Sequence, residues 1–152
     1  MYKFIFSLIF LCRVSFSAIE RKTENDQPKH ATDIIPGFVI GNFMDDYGIR
    51  YHITDSLWLQ RPNIKYHIIR WNVKEQYLIA RNDDANPGEK GLYSRIDYMQ
   101  FNNMEPFLWG FCLTVYNAAS DSLAEFTAHA NRHNPMKGCN GYPFSRMKKI
   151  DP

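Results

Sequence analysis

Between residues 37 and 117, short runs rich in β-branched and aromatic residues alternate with short stretches of turn chemistry. Strands joined by tight connections satisfy such a pattern, and long helices do not. The runs are 37–43, 48–54, 56–61, 64–71, 75–82, 91–101 and 106–117. Asp45-Asp46-Tyr47-Gly48, Thr54-Asp55-Ser56, Pro62-Asn63 and Asn72 break the early ones, and these residue types favour turns for known backbone reasons. Connections this short make neighbours antiparallel. The expected fold is mainly β: an up-and-down meander of about six to eight strands closing into a small barrel, with a two-sheet β-sandwich as the alternative.

The last run, PFLWGFCLTVY, is the most apolar and belongs at the centre of the core. Gly110 inside it marks a bulge, a bend, or the close approach of another element. The stretch 82–90 (NDDANPGEK) contains no strand former and reads as a surface loop. After Tyr116 the pattern changes. Ser120 or Asp121 caps an expected helix over 120–132, with Leu123, Phe126 and Ala130 on one face, and Pro135 and Gly138 stop it. The tail carries Tyr142, Pro143 and Phe144, which are placed to close an open end of the sheet.

The first seventeen residues have the order of a secretory signal: Lys3, then the apolar run FIFSLIFLC, then Ser15 and Ser17 before Ala18. Residues 18–33 read as a flexible polar tether, and 34–152 as a single β domain. Of the 18 basic residues, Lys3 and Arg13 leave with the signal, so 16 stand against 16 acidic ones. A neutral domain speaks against nucleic acid as a partner. The small group Arg146, Lys148 and Lys149 reads as solubilising. No later stretch is apolar enough for a transmembrane helix, so the expected location is secreted or periplasmic. In that setting Cys112 and Cys139 are expected to form a disulfide.

Chemistry-bearing residues are sparse. Arg70, Arg81 and Arg95 lie mid-strand with Tyr93 and Asp97 nearby. Facing into a barrel, they would form a ligand site for an anionic group, because the guanidinium fork offers directed donors. On an outer face they would be solvated or structurally paired. Both faces of 64–71 and of 91–101 are partly apolar, as happens when both faces are partly covered. The tryptophans Trp58, Trp71 and Trp109 fall in strands, where they fill a core or stack on a flat ligand. His52, His67 and Asp55 would need to converge to bind metal or to do acid–base work. His129 and His133 are four apart but lack a third ligand, and Asp84 to Gly88 lacks the rest of a calcium loop. No catalytic residue, metal site or cofactor is assigned.

The segments DDYG (45–48), QYLIARN (76–82), GLYSRIDY (91–98), GFCLTVY (110–116) and GCNGYPFSRM (138–147) resemble an uncharacterised family of small exported or lipoprotein-like bacterial β-sheet proteins. That resemblance implies no activity. The expected architecture is also lipocalin-like, although the Gly-x-Trp of a lipocalin first strand is absent from GNFMDDYG. The expected function is an exported, non-enzymatic binding module for a small ligand of anionic or aromatic character. An envelope protein that docks a partner is the alternative, and a hydrolase using histidine, carboxylate or metal is a third reading.

Overall fold

A computed structural model describes residues 34–151. The signal expected over 1–17 and the tether expected over 18–33 lie outside the described residues. Eight strands form a closed antiparallel barrel in sequence order. They are β1 (Gly41–Asp45), β2 (Arg50–Ile53), β3 (Leu57–Gln60), β4 (Ile64–Asn72), β5 (Tyr77–Asn82), β6 (Tyr93–Gln100), β7 (Phe107–Ala118) and β8 (Ser145–Lys149). The meander closes as a barrel, not as a sandwich.

Closure depends on a strand hidden in the tail. β8 lies between β7 and β1, pairing Met147 with both Trp109 and Asp45. Its sequence, SRMKK, turns only Met147 into the interior and leaves charged neighbours outside. A single buried side chain gives almost no alternation, which is why this stretch reads as a loose tail. It also removes the edge that β1 and β7 would otherwise expose.

The run expected as a strand over 37–43 begins instead as a 3-10 turn, Gly37–Val39. Pro36 precedes it, and the Val39 amide donates to the Pro36 carbonyl at 3.1 Å. The turn buries Val39 and sets Phe38 edge-on to both Tyr98 and Trp109, with ring centroids 6.3 Å apart in each pair. One end of the barrel is closed this way.

The interior is filled with aromatic side chains. Trp58 stands edge-to-face with Trp109 and Phe111 at 6.0 and 5.0 Å, and Tyr51 packs against Trp58 and Phe111 in the same manner. Such contacts add specificity to the large apolar area that each ring buries. A bulge between Ile68 and Arg70 resolves the mixed alternation of β4. Ile69 is the extra residue, so Ile68 and Trp71 both face the core while Arg70 turns outward. β6 is mixed for another reason: both of its faces are covered.

The outer cover is the excursion between β7 and β8. Its helix, α1, spans only Asp121–Phe126, against the expected 120–132. Ser120 caps it by accepting from the Leu123 amide at 3.2 Å. The chain leaves the helix because Arg132 is drawn to the barrel wall, donating to the carbonyls of Tyr98 at 3.0 Å and Gln76 at 2.7 Å. The Asn131 amide donates to the Gly138 carbonyl, not back along a helix. The side that α1 buries is not the one Leu123 and Phe126 share. Ala124 packs inward against β5, β6 and β7, while Leu123 is 54% exposed and Phe126 is 72% exposed.

The disulfide between Cys112 and Cys139 pins the far end of this excursion, with Cα atoms 5.4 Å apart. It sits in an outer cluster with Ala130 and Phe144. Gly110 belongs to the same face. A Cβ there would lie 2.7 Å from the Phe101 ring and 3.0 Å from the Ser145 carbonyl, so close packing is what requires glycine. No helix among the described residues is long and apolar enough to cross a membrane.

Candidate functional site

All five residues singled out in the sequence, Arg70, Arg81, Tyr93, Arg95 and Asp97, sit on the outer wall. They lie opposite in the pleat to the core residues Leu78, Ala80, Ile96 and Tyr98. Three of them belong to one ionic network under the excursion. Asp97 is fully buried and accepts two bonds from the buried Arg95, each 2.9 Å. It also accepts from the Thr114 hydroxyl at 2.5 Å and from Arg132 at 2.9 Å. Arg95 donates further to the Glu125 carbonyl at 2.6 Å and stacks 3.8 Å over the Tyr77 ring. Arg70 spans Asp121 at 2.9 Å and Glu125 at 2.7 Å, and the Tyr77 hydroxyl donates to Glu125.

Every carboxylate oxygen of Asp97 is used, and Arg95 has no open face. The network clamps α1 and Arg132 to β4, β5 and β6. Arg81 pairs with the exposed Asp84 at 2.8 Å, away from the network. Tyr93 is half-buried beside Tyr77 and Ile79. The inward-facing arrangement that would build an anion pocket from these residues is absent.

The edge of the network carries a pH dependence. The Tyr77 hydroxyl and then Arg70 hold the Glu125 carboxyl below its ordinary value, and Arg70 with the Ser122 amide does the same for Asp121. A depressed folded value means the stabilisation is complete above the ordinary carboxylate range and is lost as pH falls through the folded value. The amide signals of 121–126 are therefore expected to shift and broaden below about pH 4, while those of β5 and β6 stay in place. Helix signals that follow the barrel's own acid transition would contradict this assignment.

The histidines do not converge. His52 Nδ1 meets Asn42 Oδ1 at 2.8 Å, and His67 Nε2 meets Asp83 Oδ2 at 2.6 Å. Asp55 accepts from its neighbour Ser56 in the turn. Neither His129 nor His133 lies in α1. No group of three metal-ligating side chains forms among the described residues.

The loop after β5 does something the sequence does not announce. Asn86 behaves like a strand residue: its side chain accepts from the Lys65 amide at 2.9 Å and donates to the Lys65 carbonyl at 2.8 Å. Asn82 is buried, accepts from the Ser94 hydroxyl at 2.6 Å, and donates to the Glu89 and Tyr116 carbonyls. These bonds fold the loop over the barrel end opposite the 3-10 turn.

Beneath the loop lies a cavity of about 330 Å³, lined by Ile64, Tyr66, Asn82, Leu113 and Tyr116 and by loop residues 86–89. Tyr66 is buried, and burial, then the charge of Glu89, raises its phenol pKa. The sequence assigns none of these residues to a binding site, although Asn86 to Gly88 fall in the run weighed as a calcium loop and Tyr66 among the strand aromatics. The one signal was the length and composition of 82–90, a loop longer than a hairpin needs.

A second groove, about 420 Å³, runs outside the barrel between Tyr47, Met104, Pro135, Met136 and Pro143, with the Asp46–Arg146 pair on its border. Tyr47 is 73% exposed and Met136 is 70% exposed.

Together these features define a closed eight-stranded antiparallel barrel with a packed interior, one sealed end, one looped mouth and a disulfide-tied outer strap. The chain matches no family model, no curated protein and no solved structure in comparisons with known proteins.

Proposed function

We propose that this protein is an exported, non-enzymatic binding module that holds a small ligand at the mouth of its barrel. The observation that carries this reading is the position of the mouth cavity. The rest of the interior is filled by Trp58, Trp109, Tyr98 and their neighbours, while the mouth keeps about 330 Å³ of concave, mostly apolar space among inward-facing residues. That volume is near the lower end of the roughly 300–1,000 Å³ typical of ligand pockets, so the ligand is small. The disulfide and the leader-like first seventeen residues support export.

The expected anionic ligand loses its basis here, because the arginines that motivated it are spent on the outer wall. An apolar or aromatic body remains well suited to Ile64, Leu113 and the tyrosines.

Gly88 provides the test. A Cβ at Gly88 meets nothing within 4 Å, and the residue lines the cavity. The G88W variant is expected to fold normally and to fill the mouth. In native mass spectrometry of protein purified from its own host, wild type should carry a small-molecule adduct that G88W lacks. The same adduct on both proteins, or none on either, would remove the mouth as the site.

The outer groove favours a second reading, an envelope protein that docks a partner through Tyr47, Met104 and Met136. Exposed apolar side chains gathered in one groove are what such a surface needs.

A further inference from the structure

The wall of the mouth cavity carries a single charged side chain. Among the described residues, Glu89 is the only ionisable carboxylate or base on the cavity wall; the other lining groups are amides, aliphatics and the phenols of Tyr66 and Tyr116. Its side chain forms no ion pair among the described residues. Lys90 follows Glu89 in the chain and is exposed, but it does not line the cavity. Lys65 is fixed through its backbone to Asn86 and is likewise exposed and outside the wall. His67 and Asp83 satisfy each other on the outer face, and Asp84 is held by Arg81.

A carboxylate beside aromatic rings is the donor set for an ammonium ion. The carboxylate supplies Coulombic attraction, and the negative ring faces supply cation–π attraction that strengthens as water is excluded. An anionic ligand in the same place would meet Glu89 with no cation on the cavity wall to offset it. Asn82 spends its amide on the loop, and Asn86 spends its amide on Lys65.

We infer that the mouth selects a small amine, with its ammonium group against Glu89 and the tyrosines and its apolar body over Ile64 and Leu113. This rests on the mouth being the binding site. It adds the sign of the ligand's charge, which the cavity's position does not supply.

Calorimetric titration separates the two. The probes are phenethylamine, 2-phenylethanol and phenylacetate, which share a ring and differ in charge. The proteins are wild type, E89Q and G88W. Glu89 is exposed and its side chain makes no hydrogen bond among the described residues, so E89Q should fold as wild type does. Phenethylamine is expected to bind wild type best, by about tenfold over the alcohol, with phenylacetate weakest. E89Q should lose that preference and leave the alcohol unchanged, and G88W should bind none of the three. Equal binding of amine and alcohol, unaffected by E89Q but abolished by G88W, would overturn the amine and keep the mouth. Binding unaffected by G88W, or no binding of any probe to wild type, would overturn both.

Discussion

Replacing Asp97 by asparagine is expected to cost about 3–5 kcal/mol of folding stability, the range for breaking one side of a buried ion pair. Asp97 is the acceptor for Arg95, Arg132 and Thr114 at once, and Arg95 is only 2% exposed. Asparagine keeps the shape and loses the charge, so Arg95 stays buried with no carboxylate at its guanidinium. The chemistry is asymmetric: an intact buried pair adds little to stability, whereas a half-removed one is strongly destabilising. Urea unfolding measures it, as a lower midpoint at unchanged slope. A loss under about 1 kcal/mol would mean that water reaches Arg95 and that the clamp is not a closed network.

The disulfide ranks second. It closes a loop with a sequence separation of 27 residues. The chain-entropy estimate for such a loop is about 3.5 kcal/mol. The C112A/C139A double variant should lose about that much stability and still fold, because the ion network holds the near end of the excursion. The two effects should not add. Cys112 pairs across the strands with Asp97, and the Thr114 hydroxyl lies 3.4 Å from the Cys112 sulfur. Neighbours that share partners couple. Combining D97N with C112A/C139A is therefore expected to deviate from the sum by more than about 0.5 kcal/mol. Strict additivity would show that the two fastenings act independently.

Both effects concern the part of the fold that the sequence shows least well. Strands β2 to β7 are legible because turn residues bound them and because their β-branched and aromatic content is high. The disulfide is legible because only two cysteines remain past the signal-like segment. β8 is not, since Met147 alone faces inward. The length of α1 is not, because Arg132 is captured by the carbonyls of Tyr98 and Gln76, contacts made across the fold that no local periodicity encodes. Leu123 and Phe126 fall on one face by spacing, yet the network turns that face to solvent.

The candidate residues divide along the same line. Arg70, Arg95 and Asp97 stand out in the sequence because charges in mid-strand are uncommon, and their grouping is real. Their direction depends on whether an outer cover exists, and the cover forms from an excursion more than twenty residues further along the chain. The mouth residues Tyr66 and Leu113 look like ordinary core positions. Only the loop bonds from Asn82 and Asn86 decide that space remains above them.

The proposed ligand sits at the looped mouth of a filled barrel and not along its outer groove. Two-dimensional NMR of isotope-labelled protein titrated with phenethylamine distinguishes the two places. Shifts are expected at Ile64, Tyr66, Leu113, Tyr116 and residues 82–90, with Tyr47, Met104 and Met136 unmoved. Shifts gathered instead at Tyr47, Met104 and Met136, with the mouth silent, would move the site to the outer groove and rule out the mouth.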